Sequence, residues 1–291
     1  LPAPLAENAP AKVNLTLRVL GRRDDGYHEI ESLVAFADYG DRLSLVPGSD
    51  LALAVGGPRA EQAGLDADNL VLKAARAVAA RIPGIALGGF NLEKNLPAAA
   101  GLGGGSADAA AALRLIARAN HLALSDPRLY DAARATGADV PVCLDPRPRL
   151  MRGIGEKLSE PLILPPLPVV LVNPGVALAT KPVFAEWTPA RPAVPFDFAV
   201  AKINGSKEFL HALAQQANDL ETAAIKLAPV IADVLAALRA FAGCRLARMS
   251  GSGATCFGLF GSAAAARSTA QALSSEYPHW WIIASALGGK G

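Results

Sequence analysis

No two cysteines in this chain lie close enough in sequence to suggest a shared metal ion or bridge. Cys143, Cys244 and Cys256 are widely spaced and odd in number, which argues against a CxxC zinc site and against a disulfide framework and favours a reducing compartment. The histidines are scattered and form no HExxH. A strong charge bias is missing as well. The net charge is +2, Arg22-Arg23 runs straight into Asp24-Asp25, and the arginines of 146–152 stand among prolines, so no nucleic-acid surface is expected. The longest apolar run, Pro161–Pro174, is broken by prolines and cannot cross a bilayer as a helix. The opening residues Leu1–Glu7 have neither a basic run nor a continuous apolar core, so no signal peptide is expected and a cytoplasmic protein is the default. No internal repeat is visible.

What remains is a chain with ample core material. Hydrophobic residues make up 52% and charged residues 19%, enough for one large domain or two ordinary ones. Residues 12–20 alternate, with Val13, Leu15, Leu17 and Val19 on one side and Lys12, Asn14, Thr16 and Arg18 on the other. This period of two predicts a half-buried strand with Lys12 and Asn14 on its polar face. A turn follows over Gly21–Gly26, then strands at 30–36, 42–46 and 51–55. Helical spacing covers 69–82, with Asp66, Asp68 or Asn69 available as N-cap, and further helices are expected at 106–120 and 127–136. Strands are expected at 90–94 and 139–144. The pattern resets near residue 160, with a strand at 169–172, helices over 209–216 and 219–241 (restarting at Pro229), strands at 245–249 and 255–260, a helix at 263–275 and a last strand at 280–286. Strands mixed with helices in both halves predict an α+β protein of two domains, 1–158 and 159–291.

The stretch Leu96–Leu113 places four glycines within Gly101–Gly105 and then runs into alanines. It is not a Walker A loop, because no GxxxxGK[ST] string occurs. It is not a dinucleotide fingerprint either, since the sixth position is Ser106 counted from Gly101 and Asp108 counted from Gly103. The physical logic holds without those motifs. Glycines let main chain approach another group closely, and a helix start offers unpaired N–H groups and partial positive charge. A glycine loop leading into a helix can therefore cradle a phosphate, or it can simply be a tight turn. Ser106 can offer its hydroxyl to a phosphate oxygen or as N-cap, and Asp108 would suit the first turn.

Three strings along the chain then resemble the motifs of the GHMP small-molecule kinases, named for galactose, homoserine, mevalonate and phosphomevalonate. They are Ala9-Pro10-Ala11-Lys12-Val13-Asn14-Leu15, Pro97-x-x-x-Gly101-Leu102-Gly103 with Gly104-Gly105-Ser106, and Met249-Ser250-Gly251-Ser252-Gly253-Ala254-Thr255. One branch of that family also carries strings similar to Asp25-Gly26-Tyr27-His28, Asp38-Tyr39-Gly40-Asp41 and Gly137-Ala138-Asp139-Val140-Pro141. The resemblance implies a ribosomal-protein-like α/β N-terminal domain and a ferredoxin-like C-terminal domain. It also implies transfer of the γ-phosphate of ATP, with Mg2+, to the C2 hydroxyl of a small molecule, 4-diphosphocytidyl-2-C-methyl-D-erythritol, by a monomer or homodimer.

Carried residue by residue, the resemblance makes Asp139 the base and Lys12 its partner. Phosphoryl transfer asks mainly for alignment and charge compensation, and an ammonium near a carboxylate favours its charged form. Taken alone, Asp139 could be a turn aspartate and Lys12 a solvated lysine. Asn14 would bind the erythritol hydroxyls. Tyr27 and His28 would take the cytosine, by stacking and by hydrogen bonding to its edge, with Thr180 and Phe184 in support and Phe184 as a second aromatic. Gly101–Ser106 would wrap the ATP phosphates after Pro97, with Leu102 inside the loop. Asn69 and Lys94 would lie near the adenosine, unless they are an N-cap and a surface charge. Ser250–Gly253 would support the phosphate loop. Ala107 stands where many members of that branch have a second serine, which leaves one hydroxyl at that corner.

Overall fold

Runs of strands and runs of helices follow one another along the chain, as expected of an α+β protein. The computed structural model describes residues 4–48, 50–64, 69–189 and 206–288. The elements are β1 (Leu5–Asn14), β2 (Arg18–Arg22), β3 (His28–Gly48), β4 (Ala52–Gly56), α1 (Leu70–Ala79), β5 (Leu87–Glu93), α2 (Gly104–Ala119), α3 (Pro127–Thr136), α4 (Val140–Leu144), β6 (Arg149–Gly153) and β7 (Lys157–Leu158). They continue with β8 (Leu167–Asn173), α5 (Thr180–Glu186), α6 (Ser206–Ala214), α7 (Glu221–Leu227), α8 (Val230–Arg239), β9 (Cys244–Met249), β10 (Cys256–Phe260), α9 (Ala263–Glu276) and β11 (Trp281–Leu287). Among the described residues no helix is long and apolar enough to cross a membrane. By contacts the chain divides into two units, each assembled from separate stretches. One holds Leu1–Lys12, Tyr39–Ala98 and Gly103–Pro146, and the other holds Val13–Asp38, Ala99–Leu102 and Arg147–Gly291.

In the first unit the later half of β3 pairs antiparallel with β5, from Arg42↔Glu93 to Gly48↔Leu87. β4 pairs with β5 in parallel, which a hairpin cannot connect, and α1 supplies the crossover between them. Helix α2 packs against α1, α3 and α4. Its run Ala107–Ala117 is buried without a break, and alanine suits that position because its small side chain lets neighbouring helices come close on every side.

The second unit contains a four-stranded antiparallel sheet in the order β11-β8-β10-β9. Helix α8 packs on β9 and β10, and α9 on β8 and β11. A β-α-β-β-α-β path with the last strand beside the first is the ferredoxin-like arrangement. Its core joins Val170 and Val172 of β8 to Ile231, Val234, Leu235 and Leu238 of α8. Arg248 of β9 is buried and donates to three main-chain oxygens, Leu15 at 2.7 Å, Leu213 at 3.1 Å and Gln216 at 2.5 Å. Burial lowers its pKa to about 10, with Glu221 pulling the other way. Cys143 and Cys256 are also buried, and burial raises both thiols, Cys143 to about 12.

Four local expectations are corrected. The strand expected over 12–20 is interrupted, because Leu15 and Thr16 N–H both donate to Leu33 O and Leu17 N–H turns to Ala217 O. Its polar positions Lys12, Asn14 and Thr16 are buried, not solvated. The strands expected at 30–36 and 42–46 are one strand, since Asp38–Asp41 stays extended within β3. Residues 140–144 form helix α4 instead of a strand. Pro141 sits in its first turn and all of its residues are buried, and proline there presets helical φ while a short apolar run has no period of its own. Finally, α2 starts at Gly104 with Gly103 as N-cap, so Ser106 is not the cap and Asp108 lies beyond the first turn. Asp66 and Asp68 lie outside the described residues; Asn69 caps α1, accepting from Val71 N at 2.9 Å.

Gly40 illustrates the demand on backbone. A Cβ there would lie 2.2 Å from Ala9 O, so the approach of β1 to β3 at this point requires glycine. Gly40→Ala should lower stability by about 3 kcal/mol, read as a shifted midpoint in urea unfolding. An unchanged midpoint would mean that β1 yields freely.

Candidate active site

In the first unit the start of α2 is crowded by two lysines. Gly103 has φ 62° and caps the helix with no side-chain bond. A Cβ on Gly103 would sit 3.1 Å from Lys12 Cε, and one on Gly104 would sit 3.2 Å from Lys94 Nζ. The glycines thus make room for two cationic side chains beside unpaired helix N–H groups. That is a setting for an anion, with partial positive charge from the helix start and no side chain in the way.

Lys12 Nζ lies 3.0 Å from Asp139 Oδ2, with side-chain exposures of 5% and 36%. Asp139 stands directly before α4 and makes no capping bond, so its carboxylate is left to this charge-assisted contact while still reaching solvent. A buried ammonium and a half-open carboxylate together can orient a hydroxyl, compensate developing negative charge and accept a proton.

Lys94 is buried, not a surface charge. Its ammonium donates to Asp41 and, at 2.8 Å, to Asp108. Sequence reasoning missed this cluster: Asp41 was visible only as part of a motif, and Asp108 only as a helix-start residue. Asn69 is the N-cap of α1, and its amide also donates to Ala63 O at 3.2 Å. Pro97 follows the buried Leu96 in the turn that precedes the glycine loop.

The second unit holds the other part of the loop. Gly101 has φ 74°, and a Cβ there would lie 2.3 Å from Ser250 O. Ser250 Oγ donates to Gly101 O at 2.8 Å and accepts from Asn14 N at 3.0 Å, while Thr255 N donates to Ala100 O at 3.1 Å. The stretch 250–255 therefore braces residues 100–101, and Leu102 is buried. The Asn14 amide donates to Ser32 Oγ at 2.7 Å. Thr180 Oγ1 and Ser252 Oγ are 3.0 Å apart.

Phe184 and Trp187 of this unit meet around His28. Its ring stacks on Phe184 with centroids 4.8 Å apart and planes at 29°, and Trp187 meets it edge-on at 5.8 Å. His28 and Phe184 touch, so no base fits between those two rings; Tyr27 is 59% exposed beside them in sequence. Trp187 was missed because a single tryptophan three residues beyond Phe184 carries no motif. Burial, then the nearby Arg22 charge, lowers the His28 pKa below its ordinary value, so the ring is neutral at pH 7, with one nitrogen to donate and one to accept.

The GHMP kinases N terminal domain model matches residues 69–145, and the GHMP kinases C terminal model matches 200–279. The 4-diphosphocytidyl-2-C-methyl-D-erythritol kinase of Rhodopseudomonas palustris is 55% identical over 97% of each chain. That of Methylobacterium radiotolerans is 56% identical over 97% of this chain and 99% of its own. Among solved structures, a 4-(cytidine 5'-diphospho)-2C-methyl-D-erythritol kinase is similar at 37% identity with a TM-score of 0.77, covering 98% of this chain and all of that one. Homoserine kinase from Cytophaga hutchinsonii, at 21% identity and TM-score 0.74 over 99% and 96% of the two chains, shares the fold.

The His28 environment can be read directly in solution. An NMR titration should place the His28 midpoint below 6.5, and Phe184→Ala should move it up by exposing the ring. A midpoint at or above 6.5 in the unaltered protein would contradict the half-buried, neutral imidazole.

Proposed function

We infer that this chain, which belongs to the GHMP kinase family, moves the γ-phosphate of ATP onto the C2 hydroxyl of 4-diphosphocytidyl-2-C-methyl-D-erythritol, giving the 2-phosphate and ADP. The observation that carries the chemistry is the Lys12–Asp139 contact at 3.0 Å, buried at the ammonium and half-open at the carboxylate. The choice of acceptor rests on near-full-length identity to enzymes of that name.

In this reading the acceptor hydroxyl donates to Asp139, which takes its proton as the bond to phosphorus forms. Lys12 holds Asp139 in place and faces the charge that builds on the transferring group. Such a transition state is loose, so alignment and charge compensation outweigh early proton removal. The N–H groups at the start of α2 and the loop Gly101, Leu102, Gly103, Gly104, Gly105 and Ser106 hold the triphosphate, with Pro97 shaping its entry. Asn69 and Lys94 serve the nucleotide side through the backbone they fix. Asn14 binds the erythritol part, and Thr180 supports the cytosine residues. Tyr27, His28 and Phe184 take the cytosine, which stacks on an outer ring face because His28 and Phe184 already touch.

Mg2+ enters with ATP as part of the substrate. Among the described residues no group of three or more His, Cys, Asp or Glu could hold a metal ion. We keep the domain division at 158/159, with the N-terminal match before it and the C-terminal match after it. We assign the protein to the cytoplasm, as a monomer or homodimer that needs neither nucleic acid nor membrane.

The test is ADP release with Mg-ATP, offering the cytidyl acceptor, homoserine, mevalonate and galactose in parallel. Turnover of the cytidyl compound alone is expected, and Asp139→Asn should cut its kcat about 10²–10⁴-fold while ATP still binds. Preference for another acceptor would reassign the substrate, and ATP binding without any turnover would make the chain a binding protein. Tyr27→Ala should raise KM for the cytidyl acceptor far more than KM for ATP; equal changes would remove Tyr27 from the cytosine.

A further inference from the structure

The cluster around Lys94 contains more negative than positive groups. One ammonium faces the carboxyls of Asp41 and Asp108, and all three side chains are buried. The two carboxyls are served unequally. Asp41 accepts from Lys94 and also from the main-chain N–H groups of Asn95 at 2.6 Å and Leu96 at 2.8 Å, and several donors favour a full negative charge. Asp108 has Lys94 at one oxygen, while its Oδ1 is buried and has no hydrogen-bond partner among the described residues. An ionised oxygen so placed is strongly disfavoured, whereas a neutral carboxyl tolerates it.

Other neighbours do not alter this balance. β3 presents Asp41, the segment after β5 presents Lys94, and α4 presents Cys143, whose raised pKa of about 12 keeps it neutral. The causes that set the Asp108 charge are its burial, Lys94 and Asp41. Burial and the Asp41 charge raise Asp108 to about 8 against the opposing pull of Lys94, which itself stays protonated.

We propose that Asp108 is a positioning residue of the ATP side that acts through Lys94 as a neutral carboxylic acid. With its proton in place the cluster holds one positive and one negative charge, and Lys94 rests against Gly104 at the first turn of α2. The triphosphate then meets no net negative charge from beneath the helix start. Loss of the proton adds one negative charge behind the phosphates and weakens their binding. The proposal rests on the ATP-dependent reading above. Its sign follows from a raised carboxyl: the proton is held below about pH 8 and lost above it, so ATP binds more tightly on the acid side of that value.

The experiment is calorimetric titration of the whole chain with Mg-ATP between about pH 7.5 and pH 9.5, where the ATP phosphates no longer titrate, for the unaltered protein and for Asp108→Asn. The amide has the shape of the neutral acid. The unaltered protein should bind ATP about three- to tenfold more weakly at the alkaline end, and Asp108→Asn should keep the tighter value throughout. Equal slopes in the two proteins, or binding by the unaltered protein that ignores pH, would overturn the proposal and leave the kinase reading intact. No ATP binding at any pH by the folded protein would overturn the kinase reading, and the ATP side of the proposal with it. Should Asp108→Asn fail to fold, infrared spectra of the unaltered protein decide. A protonated-carboxyl band present at pH 7.5 and gone at 9.5 supports the proposal, and no such band at pH 7.5 refutes it.

Discussion

Two lysine side chains occupy the space that side chains at Gly103 and Gly104 would need. That exclusion organises the first unit. It brings the Lys12 stem under the cap of α2 and the Lys94 ammonium against its first turn, so the helix start is bare toward solvent and cationic behind. Each lysine then needs a counter-charge to remain buried. Lys12 finds Asp139 at the head of α4, and Lys94 finds Asp41, with the Asp108 carboxyl accepting a hydrogen bond beside it. The alanine face of α2 serves the same end, since close helices hold α4, and with it Asp139, at fixed distance.

The second unit handles buried charge differently. Arg248 spends its guanidinium on main-chain oxygens of Leu15, Leu213 and Gln216, tying the break after β1 to the end of α6. Directly after it, Ser250 bonds both Asn14 N and Gly101 O. One short stretch of β9 and its following turn therefore anchors segments far apart in sequence, and glycines at 251 and 253 give it the required turns.

Much of this was legible in the order of residues. Short strand-like runs marked β8 to β11, caps and spacing marked α1, α3 and α9, and the motif strings named Lys12 and Asp139. What could not be read shares one cause, which is that the partner lies far away in sequence. Val140–Leu144 has the composition of a strand and is instead a buried helix that packs on α2, more than twenty residues earlier. Lys94 looks like any lysine at a strand end until Asp41, 53 residues away, is found beside it. Trp187 gains meaning only when its ring meets His28. Patterns of period and capping report on near neighbours, and such pairings do not.

The interleaving of the two units bears on how the protein is made. The first cannot close until residue 146 has left the ribosome, although β1 emerges at the outset. The second depends on β11, which pairs along its length with β8 and reaches Ala37 through Leu287. Residues 13–34 find partners among themselves and in β6, but Ala37 must wait for Leu287, roughly 12–50 s at ordinary translation rates. During that interval β8 lacks the strand that covers one of its two edges, and an open apolar edge can pair with another chain.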